Sequence, residues 1–548
     1  MSDTSRLRAL LQRIDGRPYP AYRDIKGVWN LGAVEIRIDH VQGDPFAAPS
    51  RVRVRIQTSI AEEICSDPVQ RLAAEDWLLR RFGADLTGTR RGSGKSGLLD
   101  VYRPGPEIVE RSAVRLLSDG VAEVRLRAGL PARGRRILGE QAWRMLSADL
   151  PAAATALVAP SEPSLHEQIA SVRLQQRMRA ALRAQGLVAF IADGSVLPRS
   201  SGVSQAPMAG AVPFSSPASL RVNLCGVEGM GVPTGLTLIV GGGFHGKSTV
   251  LQAIQRGHLD HIPGDGREQV VADPDTVKVR AEDGRSVVGV DVSPFLGALP
   301  GGRSTAPFST PDASGSTSQA AAIVEAVEAG AKVLLLDEDT SATNLLVRDE
   351  RMRRLIPPER EPITPFVERV REIREQWGVS TIMVVGGVGD YLAVADTIIG
   401  MNAYRAQDLT EAGQALAGEA ARARRPLGKG LAIRGIEARS LKPTGKGRIG
   451  ARDDRRISYG LEEIDLTAVE QVLDGAHAAT IGHAIRWLFE QERGFAEVDY
   501  LLDVLESAIG VEGIEILSPF REPVGALICP RRHEVAAAIN RLRTLSVR

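Results

Sequence analysis

Residues 241–249 read G-G-G-F-H-G-K-S-T and combine glycines with a lysine and two hydroxyl side chains. The spacing Gly241-x-x-x-x-Gly246-Lys247-Ser248 suits a turn whose exposed N–H groups wrap phosphate oxygens. Lys247 would contact the β- and γ-phosphates of a nucleotide, and Ser248, at the start of a helix, would bind Mg²⁺. The run therefore predicts a phosphate-binding loop with these contact residues: Gly241, Gly242, Gly243, Phe244, His245, Gly246, Lys247, Ser248 and Thr249.

The elements on either side of this loop are those that a phosphate-binding loop needs. Residues 236–240 (L-T-L-I-V) form an apolar run typical of a buried strand, and residues 249–255 (T-V-L-Q-A-I-Q) favour a helix. The helix N-terminus would point its N–H groups at the phosphates.

A second Gly-Lys-Ser lies at residues 94–96, inside T-R-R-G-S-G-K-S-G. Thr89 stands where a phosphate-binding loop has its first glycine, and the following L-L-D-V-Y-R-P-G favours a strand over a helix. Residues 94–96 therefore match the tripeptide of a phosphate-binding loop but lack its first glycine and its helix. The segment is either a solvated hairpin loop or a basic loop whose Arg90, Arg91 and Lys95 contact the phosphates of a nucleic acid or the edge of the nucleotide.

Acidic residues follow a second apolar run, K-V-L-L-L-D-E-D at residues 332–339. A phosphate-binding loop requires such a strand, because its carboxylate completes the Mg²⁺ shell. Asp337 is predicted to hold the metal through water, and Glu338 to polarise the water that attacks the γ-phosphate.

A helix start rich in hydroxyl groups precedes that acidic strand. Residues 312–321 read D-A-S-G-S-T-S-Q-A-A, and the next residues continue in helical spacing. Free N–H groups, neighbouring hydroxyls and the positive end of the helix dipole together suit an anion. Ser314, Gly315 and Ser316 are therefore candidate phosphate contacts.

Together these motifs resemble the family described as predicted ATPases of the ABC class. The resemblance rests on 241–249 and on H-I-P-G-D-G-R-E (261–268), A-E-D-G-R (281–285), D-A-S-G-S-T-S-Q-A (312–320), D-E-D-T-S-A-T-N (337–344) and V-Q-G-D-P-F-A-A-P-S (41–50). It implies that ATP and Mg²⁺ are bound and ATP is hydrolysed. It also implies a homodimer, at least transiently with ATP, in which Ser314, Gly315 and Ser316 of one copy close on the γ-phosphate of the other. Residues 341–344 fall where that class has its dimer-contact loop.

One departure from ordinary ABC ATPases concerns the histidine expected after the strand that follows the acids. Residues 381–390 read T-I-M-V-V-G-G-V-G-D and place glycines there. Asp339, Asp390 or Arg285 are expected as substitutes, and slow hydrolysis would be unsurprising.

The expected fold class is α/β: a P-loop core of ABC type with an antiparallel β flank. Four regions are predicted: an α+β N-terminal domain (1–200), a linker or loop (201–218), the ATPase core (219–405), and a basic, partly helical C-terminal region (406–548). In the last region, helices are expected at 478–489 and 498–509 and a strand at 514–517.

A basic strip at residues 422–456 holds twelve Lys or Arg against three acids, in a chain whose formal net charge is +1. It is either a solvated linker or a surface for RNA or DNA phosphates, and its shortage of aromatic residues argues against base recognition. The candidate contacts are Arg422, Arg424, Arg425, Lys442, Lys446, Arg448, Arg452, Arg455 and Arg456.

Cysteine usage and hydropathy restrict the location of the protein. The three cysteines are far apart and form no C-x-x-C, which fits a reducing compartment and argues against both a disulfide frame and a structural zinc site. The polar N-terminus and the absence of a long apolar run predict a cytoplasmic protein without a membrane segment.

The function expected is Mg-ATP hydrolysis, with action on nucleic acid. The alternatives are a P-loop kinase acting on a nucleic-acid end or a small molecule, and a nucleotide-gated scaffold without catalysis.

Overall fold

The computed structural model of the protein describes residues 2–86, 92–158, 163–202, 204–297, 299, 301–356, 360–418, 427, 431, 433–445 and 447–548. The chain divides into two compact units. The first comprises residues 1–173 and 512–529, and the second comprises residues 174–511 and 530–548.

The first unit is an α+β structure. Its strands are β1 (Gly27–Leu31), β2 (Val34–His40), β3 (Ser50–Gln57), β4 (Leu99–Asp100), β5 (Glu107–Ile108), β6 (Val114–Leu116), β7 (Val121–Ala128), β8 (Ala132–Arg133) and β9 (Arg136–Ile137). Its helices are α1 (Asp3–Ile14), α2 (Glu62–Ser66), α3 (Pro68–Asp85), α4 (Gly139–Arg144) and α5 (Leu150–Thr155), and α6 (Pro163–Ala181) spans the division.

An antiparallel sheet in the order β1-β2-β3-β7-β4 organises the first unit, with β6 also paired to β7. Along β2 and β3, buried residues alternate with half-buried ones. This alternation is the pattern of a sheet that covers a core with one face. A separate hairpin, β8–β9, carries the basic residues Arg133, Arg135 and Arg136 at its exposed tip.

The second unit contains the remaining elements. Its strands are β10 (Leu187–Ala192), β11 (Arg199–Ser201), β12 (Ser204–Pro207), β13 (Arg221–Leu224), β14 (Val227–Pro233), β15 (Leu236–Val240), β16 (Asp260–His261), β17 (Val270–Ala272), β18 (Thr276–Lys278), β19 (Arg285–Val290), β20 (Phe308–Ala313), β21 (Val333–Asp337), β22 (Ser380–Val384), β23 (Thr397–Asn402), β24 (Arg405–Asp408), β25 (Gly435–Glu437), β26 (Ile449–Ala451), β27 (Arg456–Tyr459), β28 (Glu462–Asp465) and β29 (Phe495–Glu497). Its helices are α7 (Lys247–Arg256), α8 (Gly315–Glu328), α9 (Thr343–Leu346), α10 (Glu350–Leu355), α11 (Phe366–Glu372), α12 (Thr410–Leu416), α13 (Gly475–Gln491), α14 (Val498–Glu512) and α15 (Arg532–Ile539).

A six-stranded sheet in the order β18-β21-β22-β15-β23-β24 forms the centre of the second unit. All neighbours are parallel except β23 and β24. Alternate residues of one strand enter different cores: Leu334 and Leu336 join one hydrophobic cluster, and Val333 and Leu335 join another. Burial on both faces explains why these strands read as unbroken apolar runs.

Antiparallel sheets flank this core, as the sequence predicts. The order β13-β14-β10-β17 forms one of them, and β19 pairs with β20. The α/β fold with a parallel core and an antiparallel flank is thereby confirmed. The segment expected to be a linker or loop contains β12, which pairs antiparallel with β11 at the start of that segment.

In the C-terminal region the two expected helices are present as α13 and α14. The strand predicted at 514–517 is wrong, because Ile514–Leu517 is a short 3₁₀ helix after Gly513, whose φ is +84°. Its apolar run buries Ile514 and Leu517, a spacing of three residues that one helical turn provides.

Candidate functional site

The glycine-rich loop follows β15 at the carboxyl edge of the parallel sheet, where it is fixed by close backbone packing. Gly241 has a φ of +140°, and a Cβ there would lie 2.3 Å from the carbonyl oxygen of Met401 on β23. Gly246 has a φ of +99° and directly precedes α7. Both positions therefore require glycine, because a residue with a side chain would be strained at these positive φ values. This requirement explains the spacing of the two glycines in the sequence.

Lys247 is the first residue of α7, and its side chain folds back over the loop. Its Nζ donates to the carbonyl oxygens of Gly241 and Gly242, over 2.7 and 2.8 Å. No side-chain hydrogen bond caps α7 among the described residues, and Ser248 is exposed at its first turn. Free N–H groups, an ammonium and a hydroxyl thus meet at one helix start, which suits a phosphate group.

A tight turn supports the loop from the side. His245 accepts the N–H of Ala403 at Nδ1 over 2.7 Å, and its carbonyl accepts the N–H of Tyr404 over 3.1 Å. Ala403 and Tyr404 join β23 to β24 with φ values of +46° and +65°. Such values are uncommon outside glycine, and here the bonds to His245 hold them in place. The dipeptide A-Y carries no turn signal, so this turn could not be predicted from the sequence.

Asp337 ends β21, two strands away from β15 in the sheet. Burial raises the pKa of its carboxyl group, although the N–H of Asp339 and the charge of Lys278 lower it. A divalent cation would offset the desolvation of this carboxylate, and carboxylate and hydroxyl oxygens are ligands that Mg²⁺ accepts. Asp337 and Ser248 thus form a donor set that fits the metal.

The carboxylate of Glu338 is held by the backbone just after β22, the strand between β15 and β21. Its Oε2 accepts the N–H of Gly386 over 2.6 Å and the N–H of Gly387 over 3.1 Å. These glycines follow β22 closely and stand where a histidine was expected. The position therefore supplies two backbone donors in place of an imidazole, a role that the glycines themselves could have suggested.

Of the three expected substitutes for the histidine, the structure contradicts Arg285. Its side chain is only 2% exposed and donates from Nη2 to Oε2 of Glu325 on α8 over 2.6 Å. A guanidinium buried in an ion pair cannot face the phosphates. Asp339 and Asp390 are exposed, and the N–H of Asp339 donates to the carboxylate of Asp337.

The hydroxyl-rich helix start is the N-terminus of α8. Ser314 is its exposed N-cap residue, and no side chain caps the helix within the described ranges. The Ser314 Oγ lies 3.1 Å from Oγ1 of Thr317, whereas Ser316 is buried. A Cβ on Gly315 would lie 3.3 Å from Oδ1 of Asp283, so a carboxylate already lies near this positive helix end.

Two family models match the parts of the chain that carry these features. The P-loop domain of the ABC ATPases matches residues 161–433, and the N-terminal domain of ATPases of the ABC class matches residues 4–160. The chain belongs to the ABC-class ATPases. A third family model, described as the MRB1590 C-terminal domain, matches residues 448–548 of this ATPase.

A curated relative of this ABC-class ATPase is the uncharacterized protein MJ1628 of Methanocaldococcus jannaschii. The two are 32% identical over 253 residues, which are 43% of this chain and 55% of that protein. The chain thus spans about half the length of the curated relative it matches.

Solved structures that match part of this chain include cbiO1 from Clostridium perfringens, part of the ABC transporter complex cbiONQ. It is 15% identical with a TM-score of 0.24, over 40% of this chain and 87% of that one. MJ1267, an ATP-binding cassette of an ABC transporter, is 12% identical with a TM-score of 0.23, over 40% and 89%. The assignment to the ABC-class ATPases therefore rests on the family models.

Gln319 links the hydroxyl-rich start of α8 to the segment after the acids, 22 residues away in sequence. From α8 its Nε2 donates to Oγ of Ser341 over 2.9 Å, and its Oε1 accepts the N–H of Ala342 over 2.8 Å. The side chain is fully buried. The start of the segment expected to contact a second copy is therefore fixed to the hydroxyl-rich helix. Sequence reasoning missed this residue, because a glutamine inside a helix carries no signal of a distant partner.

The first Gly-Lys-Ser of the ABC-class ATPase is a structural turn in the first unit. Gly94 has a φ of +61°, and a Cβ there would lie 2.5 Å from the carbonyl oxygen of Pro45. Ser96 is buried and its Oγ accepts the N–H of Ala132 over 2.9 Å. The short strand β4 follows, as predicted. Arg90 and Arg91 lie outside the described residues.

Most described cations of the C-terminal basic strip are engaged within the chain. Arg452 is paired with Glu463, and Arg456 is paired with Asp453. Arg455 donates to the carbonyl oxygens of Val469 and Glu470. Lys442 and Arg448 are exposed. The other candidates, Arg422, Arg424, Arg425 and Lys446, lie outside the described residues.

Two further features are absent from the residues that the structure describes. No three His, Cys, Asp or Glu side chains among them are grouped as metal ligands would be. None of the described helices is both long enough and apolar enough to span a bilayer.

Proposed function

We propose that this ABC-class ATPase binds Mg-ATP, hydrolyses it, and closes against a second copy of itself when ATP is bound. The observation that carries the proposal is the loop of residues 241–248 at the carboxyl edge of the parallel sheet, with Asp337 and Glu338 after β21 on the same sheet. In open α/β sheets, ligands bind outside the carboxyl ends of the strands.

Phosphate binding would exchange contacts that the loop now makes with itself. The Nζ of Lys247 would leave the carbonyl oxygens of Gly241 and Gly242 for the β- and γ-phosphate oxygens. The N–H groups at the start of α7 would donate to the same phosphates. Phe244, fully exposed at a φ of +63°, lies on the outer side of this loop.

Ser248 and Asp337 are the proposed metal ligands, with Asp337 acting through water. Bound Mg²⁺ would neutralise charge that develops on the phosphate oxygens. Burial raises the pKa of the Asp337 carboxyl group and so disfavours its ionised form. A bound cation would offset this effect and favour the carboxylate.

Glu338 is the proposed general base. A proton passes from the attacking water to its carboxylate while the water oxygen bonds to the γ-phosphorus and ADP leaves. Both N–H groups of Gly386 and Gly387 donate to Oε2, so Oε1 is the oxygen that would face that water and take its proton. Because glycines stand where a histidine is expected, slow turnover is predicted in an isolated copy.

A second copy would complete the phosphate site through the N-terminus of α8. Ser314 is exposed there, and the helix end carries free N–H groups and a positive dipole. Through Gln319, the same helix holds the segment after the acids, so both proposed contact segments would move together.

The grip of Gly386 and Gly387 on Glu338 also supports a second candidate, a nucleotide-gated scaffold that binds ATP without turnover. Incubation with ATP labelled at the γ-phosphate separates the alternatives. Released labelled phosphate supports the ATPase, and label on added RNA, DNA or a metabolite supports a P-loop kinase. Bound ATP without product supports the scaffold.

Nucleic acid is the proposed partner of the ATPase. Among the candidate contacts of the C-terminal strip, Lys442 and Arg448 are exposed and pair with no carboxylate within the described residues, and Arg439 of the same strip is exposed as well. Binding to polyanions across a salt series tests the strip, since each phosphate contact contributes to the salt dependence.

The three cysteines are free thiols, which supports the expected reducing compartment.

A further inference from the structure

Four short segments of the first unit meet around the first Gly-Lys-Ser. They are residues 16–17 after α1, the turn 44–46, the turn 93–95 and the tip 133–136 of the β8–β9 hairpin. Together they are called the four-loop surface. Neither the Mg-ATP site nor the C-terminal strip includes any of them.

Hydrogen bonds fix the four segments to one another. Gly134 donates its N–H to Oγ of Ser93 over 2.7 Å, and Lys95 donates its N–H to the carbonyl oxygen of Pro45 over 2.9 Å. Gly16 donates its N–H to the carbonyl oxygen of Ile137 over 3.0 Å. The surface is therefore formed in advance of any ligand, which reduces the entropy lost on binding.

Positive charge dominates this surface. Its cations are Arg17, Lys95, Arg133, Arg135 and Arg136. Asp44 is its acid and pairs with Arg135 over 2.6 Å, while the neighbouring Asp15 accepts the N–H of Gly139.

Three of the cations have no competing contact. The side chains of Arg17, Lys95 and Arg133 make no hydrogen bond or ion pair within the described part of the chain. Arg136 donates to the carbonyl oxygen of Gly16, which leaves its charge unneutralised. These side chains are available for phosphate oxygens, in contrast to Arg452 and Arg456 of the C-terminal strip.

An exposed aromatic ring lies among these cations. Phe46 is 62% exposed, and its Cδ1 lies 3.0 Å from the position that a Cβ on Gly94 would take. A Cβ on Gly94 would also meet the Pro45 carbonyl, so glycine lets the two turns approach each other. A phenylalanine in this position offers a ring on which a base can stack, next to positive charge. Proteins that bind single-stranded nucleic acids combine these two features.

We propose that the four-loop surface binds single-stranded nucleic acid, with Arg17, Lys95 and Arg133 on the phosphates and Phe46 stacked on an unpaired base. A duplex keeps its bases stacked on one another and offers Phe46 no free face. Because the surface reads backbone and base face only, binding is independent of sequence. The proposal does not depend on ATP hydrolysis.

The test measures fluorescence anisotropy of labelled 20-nucleotide RNA and DNA with the full chain over a salt series. A triple Arg17→Ala, Lys95→Ala, Arg133→Ala variant is expected to bind at least about 10-fold more weakly and to lower the salt slope by about 2, near 0.7 for each lost contact. Phe46→Ala is expected to lose about 10-fold for single strands and little for a duplex of equal length. Circular dichroism reports that each variant is folded, and bound ATP reports that the nucleotide site of the second unit is intact.

A matched variant, Arg103→Ala with Arg173→Ala, removes two exposed cations of the first unit that lie outside both the four-loop surface and the C-terminal strip, and is expected to change binding less than 2-fold. Loss of binding in Lys442→Ala with Arg448→Ala, while the four-loop variants bind unchanged, would assign the contact to the C-terminal strip and overturn the proposal. Equal losses of single strands and duplex in Phe46→Ala would overturn the stacking contact. Flotation with phosphatidylserine vesicles, sensitive to the four-loop substitutions while RNA and DNA binding is not, would assign the surface to membranes and overturn the proposal as well.

Discussion

Two stretches of this protein contain Gly-Lys-Ser, and they have different structural roles. At residues 246–248 the tripeptide begins a helix and leaves Ser248 exposed. At residues 94–96 it lies in a turn, and the hydroxyl of the buried Ser96 accepts the N–H of Ala132. The lysines differ as well, because Lys247 lies over its own loop whereas Lys95 belongs to a basic surface.

The difference lies in what surrounds each tripeptide. Gly241 begins the second one after a buried parallel strand, and α7 follows it with uncapped N–H groups. The first is preceded by Thr89 and followed by β4, whose two residues pair with β7. A short motif binds phosphate when the backbone around it presents free N–H groups, so the flanking elements carry the prediction.

Glu338→Gln gives the largest expected effect and tests whether the second site is catalytic. ATP turnover should fall by about 10²- to 10⁴-fold, because the amide cannot take the proton from water. ATP binding should persist, since the side chain holds no proposed phosphate contact. Phosphate release and equilibrium binding measure the two quantities. Equal, negligible turnover in the wild type and the variant would favour the scaffold.

Lys247→Ala and Lys95→Ala compare the two lysines directly. Losing the charged contacts of Lys247 should weaken ATP binding by about 3 kcal/mol, or about 100-fold. Lys95→Ala should leave ATP binding within about 2-fold, as expected for a residue outside the nucleotide site. Titration with a fluorescent ATP analogue measures both variants. Similar losses in the two would mean that both tripeptides grip the nucleotide.

Gly94→Ala tests the structural role of the first site. A φ of +61° and a Cβ 2.5 Å from the Pro45 carbonyl should lower the free energy of unfolding by about 1–3 kcal/mol. Gly243→Ala is the matched control, because a Cβ there meets nothing within 4 Å, and its effect should stay within about 0.5 kcal/mol. Urea unfolding followed by circular dichroism measures both. An equal stability of the two variants contradicts the assigned role of Gly94.

The substitutions Ser96→Ala and Ser248→Ala give the smallest expected effects. The first should change the stability of the protein, and the second should change its Mg²⁺ requirement. Removing the Ser96 hydroxyl leaves the buried N–H of Ala132 without that partner and should destabilise the protein by about 1–2 kcal/mol. Ser248→Ala should barely change stability but should raise the Mg²⁺ concentration needed for turnover. Unfolding curves and Mg²⁺ titrations of activity separate these results. A stability loss confined to Ser248→Ala would reverse the comparison.

Features that span a few neighbouring residues could be predicted from the sequence. The loop between β15 and α7, the acids after β21 and the start of α8 each appear at the expected place, because a strand, a turn or a helix start is encoded by adjacent residues. The family resemblance, confirmed by the matched models, rests on the same local motifs. The strand expected at 514–517 shows the limit, since a short apolar run suits a helical turn as well.

Periodicity and spacing along the chain were enough to predict the glycine-rich loop, the acidic strand and the class of fold. Only the packed structure shows that the N–H groups of Gly386 and Gly387 hold Glu338 from 48 and 49 residues away, and that the Ala403–Tyr404 turn bonds to His245. It also decided which arginines are consumed in ion pairs and which remain on the four-loop surface. These contacts depend on how distant segments pack, and no local pattern of residues encodes that packing.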